Sequence, residues 1–125
     1  MCRILMIDDD VDFLKVSKSL LYTKGFDVMS TTNCDEVESI VNEYRPQIIL
    51  LDVFLAGIDG LEICKKLKSS PLTSEIPIII ISGYPKSGER AVYEFGADAF
   101  ICKPFEITEL VNHIHDILSG NHIMC

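Results

Sequence analysis

Short apolar runs alternate with segments of helical periodicity along the whole chain. Four of the runs are mainly or wholly apolar, which is typical of strands that are buried on both faces. A fifth segment alternates between apolar and polar positions, as a half-buried or edge strand does. The five predicted strands cover 4–7, 26–30, 47–51, 77–81 and 99–102.

Each predicted strand precedes a segment in which apolar residues recur three and four positions apart, the spacing of one helix face. The strongest of these stripes runs from Ile107 to Leu118. The fourth helix is the weakest and is predicted over 90–95. Because a helix follows every strand, the pattern predicts a parallel sheet with helices on both faces.

The predicted fold class is therefore α/β, with five helices around a doubly wound, five-stranded parallel sheet. The strand order 2-1-3-4-5 is one of the two common orders for such a sheet. A length of 125 residues fits one domain. We predict that this domain covers 1–120 and that 121–125 form a short tail.

Composition narrows the classes of partner. The chain carries 11 Lys and Arg residues against 19 Asp and Glu residues, a net charge of −8. Nucleic acids and anionic membranes are polyanions, so direct binding to either is not expected as the main function. An acidic surface instead favours cations or a basic protein face.

The cysteines and the N-terminus indicate a cytoplasmic protein. The five cysteines include no CxxC pair and no zinc-like spacing, which is typical of plain thiols in a reducing compartment. No run approaches the roughly 20 apolar residues of a membrane span. The apolar run that ends at Ile7 is also too short for a signal peptide.

Acidic residues follow two strands that the topology makes neighbours. Asp8 and Asp9 come after the first strand, and Asp52 comes after the third. Ligands of an open parallel sheet bind at the carboxyl ends of its strands. Carboxylates this close repel one another unless a cation joins them, and Mg²⁺ is the natural candidate. Asp10 is expected to cap the first helix instead.

A lysine and a hydroxyl group follow the last two strands at the same edge. Lys103 supplies a point charge for a phosphoryl group, or a counter-ion for Asp52. Ser82 supplies a hydroxyl donor, and Gly83 leaves the next backbone N–H accessible. A simple Ser-Gly turn is the alternative interpretation of these two residues. The chain has no glycine-rich phosphate loop and no visible nucleophilic triad.

These residues, in this order, resemble the receiver domain of two-component response regulators over essentially the whole chain. Each motif is weak alone, but the set at this spacing is highly specific. The motifs that carry the resemblance are 4–10, 52–60, 78–83 and 96–105.

The resemblance implies a regulatory domain and not an enzyme, with at most self-catalysed phosphoryl transfer and autodephosphorylation. It implies that Asp52 accepts a phosphoryl group from a phosphohistidine on a sensor histidine kinase or a histidine phosphotransfer protein. Asp9 and Asp52 would bind Mg²⁺ directly, the backbone carbonyl of Phe54 would add a ligand, and Asp8 would act through water.

The resemblance also implies a switch. Lys103 would pair with the phosphoryl oxygens, Ser82 would rotate inward with Gly83 as its hinge, and Phe100 would follow. The surface formed by the fourth helix, the fifth strand and the fifth helix would then change its preference for a downstream protein, or form a homodimer.

The chain departs from the usual family pattern at several positions. Ala56 stands where proline is common, which predicts a more mobile loop. Ser82 and Gly83 replace the commoner Thr-Ala pair, and Phe100 replaces a frequent tyrosine. None of these changes removes a group that the chemistry needs.

Two other functions are compatible with parts of the pattern. A receiver-like scaffold would bind a partner without phosphorylation, but degenerate receivers tend to lose some of the acidic, hydroxyl and lysine residues that this chain keeps. A Mg²⁺-dependent phosphohydrolase with an aspartyl nucleophile in the first loop would fit 8–12 only superficially, because Asp12 is unsuitable there and the chain is short.

Overall fold

The computed structural model describes residues 1–55 and 58–119. Five strands form one sheet of order 2-1-3-4-5, and every neighbouring pair is parallel. The predicted fold class and strand order are thus confirmed. The strands are β1 (Cys2–Ile7), β2 (Phe26–Thr31), β3 (Ile48–Asp52), β4 (Ile78–Ser82) and β5 (Ala99–Cys102).

Five helices follow the five strands, as the periodicity predicts. They are α1 (Val11–Thr23), α2 (Val37–Tyr44), α3 (Gly60–Ser69), α4 (Pro85–Glu94) and α5 (Ile107–Leu118). The prediction for α4 was wrong at its start, which lies five residues earlier than expected. Pro85 occupies the first turn of α4, where its fixed φ and missing N–H are tolerated.

Two short elements were not predicted from the sequence. A 3₁₀ turn, Cys34–Glu36, leads into α2. Two strands of two residues each, Phe54–Leu55 and Ile58–Asp59, pair antiparallel between β3 and α3. Ala56 lies outside the described residues, as do residues 120–125, so the mobile loop and the short tail remain predictions.

The sheet divides the core into two apolar layers. The side chains of β4 alternate, so Ile78 and Ile80 pack under α2, α3 and α4, while Ile79 and Ile81 pack under α1 and α5. All five residues of β3 and of β4 are buried. Burying each such isoleucine contributes about 1.5–3 kcal/mol, which holds the central strands rigid. Within the described part of the chain, no helix is long and apolar enough to cross a membrane.

A charged cluster ties several elements together at the amino edge of the sheet. The Lys68 ammonium lies 3.0 Å from the Asp98 carboxylate and donates to the carbonyls of Ser74 and Ile76 at 3.3 and 3.0 Å. The Asp98 carboxylate in turn accepts the N–H of Ile78 at 2.9 Å. The cluster therefore connects α3 to the loop before β4 and to the start of β5.

Replacing Lys68 by methionine should lower the free energy of unfolding by about 2 kcal/mol, because two carbonyls lose a donor and the mostly buried Asp98 carboxylate loses its ion-pair partner. Methionine keeps most of the apolar stem, so packing changes little. Urea unfolding followed by circular dichroism measures the change. Lys65→Met, at an exposed position of the same helix, is the matched control and should unfold near the wild-type midpoint. Equal midpoints for both variants would contradict the assigned role.

Candidate functional site

Three carboxylates converge at the carboxyl edge of the sheet. Asp8 directly follows β1, Asp52 ends the adjacent β3, and Asp9 lies beside Asp8. One oxygen of each side chain lies within 4.8 Å of the others. Asp8 and Asp52 are buried, at 2% and 7% exposure, while Asp9 is exposed. Two buried carboxylates beside a third make a site that attracts cations.

The Lys103 ammonium supplies part of the compensating positive charge. Its Nζ donates to Asp8 Oδ2 at 3.2 Å and lies 3.6 Å from Asp52 Oδ2. The backbone of Lys103 is held by a hydrogen bond from its N–H to the carbonyl of Ser82 at 2.8 Å. The peptide bond from Lys103 to Pro104 is cis. The acidic and basic candidates predicted from the sequence therefore meet at one place.

Asp10 begins α1 and is tied to the acidic cluster. Its carboxylate accepts the N–H of Phe13 at 3.1 Å, so the predicted helix cap is confirmed. Its own N–H donates to Asp8 Oδ1 at 3.0 Å. One oxygen of Asp8 thus holds the start of the helix, and the other accepts from Lys103.

Ser82 is fully buried and forms a turn with Tyr84. Its hydroxyl accepts the N–H of Tyr84 at 2.9 Å and donates to the carbonyl of Tyr84 at 3.1 Å. The Ser-Gly turn, which the sequence analysis gave as the alternative interpretation, is therefore present in the structure. An added Cβ on Gly83 would meet nothing within 4 Å, so packing does not demand glycine there.

Phe100 lies on the strand predicted from the sequence, whereas Phe54 lies on a short strand that was not predicted. Phe100 pairs in register with Ile80 and is half-buried against the layer under α2, α3 and α4. Phe54 begins the short strand two positions after Asp52. The ligand role of its backbone carbonyl remains a prediction.

Reasoning from the sequence assigned no role at the site to two residues that contact it. Gly60 begins α3 directly against the backbone of Asp52 and Val53, where a Cβ would lie only 2.6 Å from the Val53 carbonyl oxygen. The ring centroid of Phe13 lies 4.3 Å from the Lys103 ammonium. Neither contact connects neighbours in sequence, so no local pattern indicates it.

Among the described residues, no cysteine belongs to the acidic cluster. Cys2, Cys34 and Cys102 are half-buried, and Cys64 lies on the buried face of α3, all with free thiols. Burial raises the pKa of the Cys64 thiol to about 11, and it also raises the pKa of Cys2 and of Cys34. Raised pKa values keep these thiols protonated and weakly nucleophilic at neutral pH. Cys125 lies outside the described residues.

Comparison with known proteins identifies the family. The family model described as the response regulator receiver domain matches residues 4–115. The chain is 31% identical over 116 residues to the phosphate regulon transcriptional regulatory protein PhoB of Pseudomonas aeruginosa, covering 92% of this chain and 51% of that protein. The chain spans about half the length of the curated relatives it matches, between 48% and 52% for four of them.

Solved structures agree with this result. A CheY-like receiver domain protein from Methanospirillum hungatei superposes with a TM-score of 0.85 at 25% identity, covering 100% of this chain and 99% of that one. The receiver domain of a signal transduction histidine kinase from Syntrophus aciditrophicus gives 0.84 at 30% identity, covering 96% and 92%. The chain belongs to the response regulator receiver domain family of two-component signal transduction, which is a regulatory family.

Proposed function

We propose that this receiver domain is a phosphoacceptor switch in which Asp52 takes a phosphoryl group from a phosphohistidine. The observation that carries the proposal is the convergence of three carboxylates and one ammonium at the carboxyl edge of the sheet. Phosphoryl transfer requires an aligned nucleophile and positive charge around the transferring group more than elaborate covalent machinery. Asp52 and Lys103 supply the nucleophile and one of the charges.

The transfer is a displacement at phosphorus. An oxygen of the Asp52 carboxylate forms the new P–O bond while the P–N bond of the donor breaks, and the electron pair returns to the imidazole. The Lys103 ammonium, 3.6 Å from Asp52 Oδ2, is near enough to pair with the oxygens of the incoming group. Asp52 is mostly buried, so its charge is poorly screened by water and interacts strongly with that ammonium.

The donor set fits a hard divalent cation. Every side-chain ligand atom in the cluster is a carboxylate oxygen, and the three lie within 4.8 Å of one another. Mg²⁺ is held in proteins by one or two carboxylates together with waters and phosphate oxygens. Asp9 and Asp52 would hold it directly, with Phe54 through its carbonyl and Asp8 through water. When bound, the ion supplies charge neutralisation for the phosphoryl oxygens.

The response to phosphorylation involves Ser82, Gly83 and Phe100. The Ser82 hydroxyl would leave its turn with Tyr84 and donate to the phosphoryl group, and Phe100 would follow on the neighbouring strand. Because Ser82 ends β4, Gly83 follows it and Phe100 lies on β5, the affected surface is the one formed by α4, β5 and α5. A downstream protein, or a second copy of the chain, would bind to that surface in the cytoplasm.

Removal of the divalent cation should nearly abolish phosphorylation. Intact mass after incubation with acetyl phosphate and Mg²⁺ should show a gain of one phosphoryl group that hydroxylamine removes. With EDTA in place of Mg²⁺, the rate should fall about a hundred-fold or more, since the lost charge stabilisation is worth several kcal/mol.

Two outcomes would contradict the proposal in different ways. An equal gain of mass in EDTA would contradict only the role of the cation and would leave the phosphoacceptor function standing. No gain from acetyl phosphate, and none from a phosphorylated histidine phosphotransfer protein, would contradict the phosphoacceptor function and favour a scaffold.

A further inference from the structure

We propose that Phe13 is a positioning residue for phosphoryl transfer, because the face of its ring holds the Lys103 ammonium beside Asp52. This inference rests on the proposed function of the site. Its starting point is a contact between α1 and the end of β5: the Lys103 Nζ lies 4.3 Å from the centroid of the Phe13 ring. That distance is well inside the range of a cation–π interaction.

The ring and the carboxylates contact the same ammonium. Lys103 Nζ lies over the Phe13 ring and also 3.2 Å from Asp8 Oδ2 and 3.6 Å from Asp52 Oδ2. A lysine side chain has a flexible four-carbon stem, so ion pairs alone leave its head mobile. The Lys103 side chain is 29% exposed, and water competes for the ammonium. An aromatic face adds an attraction that keeps the ammonium near Asp52.

The ring itself is held in place. Phe13 meets Phe105 edge to face, with centroids 6.1 Å apart and planes at 88°. Both rings are partly buried against the layer under α1 and α5. Edge-to-face pairs are a favoured aromatic geometry, so Phe105 fixes the orientation of the face that Phe13 presents to Lys103.

Three hydrogen bonds and one cation–π contact link Phe13 to the acidic cluster and back to its own ring. The N–H of Phe13 donates to Asp10, the N–H of Asp10 donates to Asp8, and Asp8 accepts from Lys103, which lies over the Phe13 ring. The start of α1 therefore sets the position of the ring relative to the carboxylates. A bound phosphoryl group would find the ammonium already placed, which lowers the barrier to transfer.

Two kinds of change at position 13 test this role. Phe13→Leu keeps an apolar side chain and removes the aromatic face, and it should slow phosphorylation by acetyl phosphate and Mg²⁺ about five-fold. A trifluorinated phenylalanine at the same position keeps the ring and its packing but weakens the negative face. It should slow the rate by about the same factor, while a monofluorinated ring gives an intermediate rate.

The pattern of rates decides between positioning and packing. A stepwise fall from phenylalanine to the monofluorinated and trifluorinated rings supports the inference. A wild-type rate for Phe13→Leu overturns it. A slow Phe13→Leu with wild-type rates for both fluorinated rings also overturns it, because the ring would then act only by filling space.

A second measurement is independent of phosphorylation. The ε-methylene protons of Lys103 should be shifted upfield by the Phe13 ring in the NMR spectrum of the unphosphorylated protein, and the shift should vanish in Phe13→Leu. Absence of the shift in the wild type overturns the inference even if Asp52 is phosphorylated. A shift in a protein that accepts no phosphoryl group supports the contact and contradicts the proposed function instead.

Discussion

An Asp52→Asn variant should gain no phosphoryl group from acetyl phosphate and Mg²⁺, while its circular dichroism spectrum stays that of the wild type. The amide keeps the size of the carboxylate but is a poor nucleophile, so the P–O bond cannot form. The fold should survive because Asp52 ends a strand whose other four residues are fully buried and apolar. Removing one of three neighbouring carboxylates also relieves repulsion.

The matched control for this variant is Asp12→Asn. Asp12 is an exposed carboxylate in the first turn of α1, close to the site in sequence and outside the acidic cluster. It should be phosphorylated at the wild-type rate in the same intact-mass assay. Wild-type phosphorylation of Asp52→Asn, or peptide mapping that places the phosphoryl group on Asp8 or Asp9, would show that the acceptor is misassigned.

Gly60→Ala should lower the free energy of unfolding by about 2–4 kcal/mol and slow phosphorylation at the same time. A Cβ at position 60 would contact the carbonyl oxygen of Asp52 and lie 2.6 and 2.7 Å from the carbonyl oxygen and Cα of Val53. These are backbone atoms, which cannot rotate away as a side chain can. The start of α3 and the segment that carries Asp52 must therefore separate.

Gly83→Ala is the matched stability control, since it makes the same chemical change where an added Cβ meets nothing within 4 Å. Its free energy of unfolding should stay within about 0.5 kcal/mol of the wild type. Urea denaturation of the three proteins gives the comparison. Coincident unfolding curves for Gly60→Ala and Gly83→Ala would refute the close approach at Gly60.

The fold followed from features that are local in sequence. The isoleucine run of β4 and the last amphipathic stripe identify their elements without tertiary information, and the alternation of strands and helices limits the topology. The start of α4 was missed because 85–90 contains almost no apolar residues, so periodicity gives no signal there. Pro85 is compatible with the first turn of a helix, but a proline alone does not predict that a helix begins there.

The site was predictable only in part, because some of its contacts depend on tertiary packing and not on local sequence. Asp8, Asp52 and Lys103 follow apolar runs, and parallel strands bring such ends to one edge of a sheet. The contact of Phe13 with Lys103 depends on how α1 lies against the end of β5, which no local pattern encodes. The turn between Ser82 and Tyr84 depends on a hydroxyl rotamer, and residue types alone leave it open.

The turn between Ser82 and Tyr84 affects how often the unphosphorylated domain adopts the arrangement in which Ser82 points towards Asp52. The buried Ser82 hydroxyl already donates one hydrogen bond and accepts another, and turning towards Asp52 would give up both. At about 1 kcal/mol each, that loss would keep the turned state at the order of a few per cent. On the proposed function, the unphosphorylated domain then rarely adopts the turned state. The interaction of the phosphoryl group with Ser82 has to offset the loss of these two hydrogen bonds.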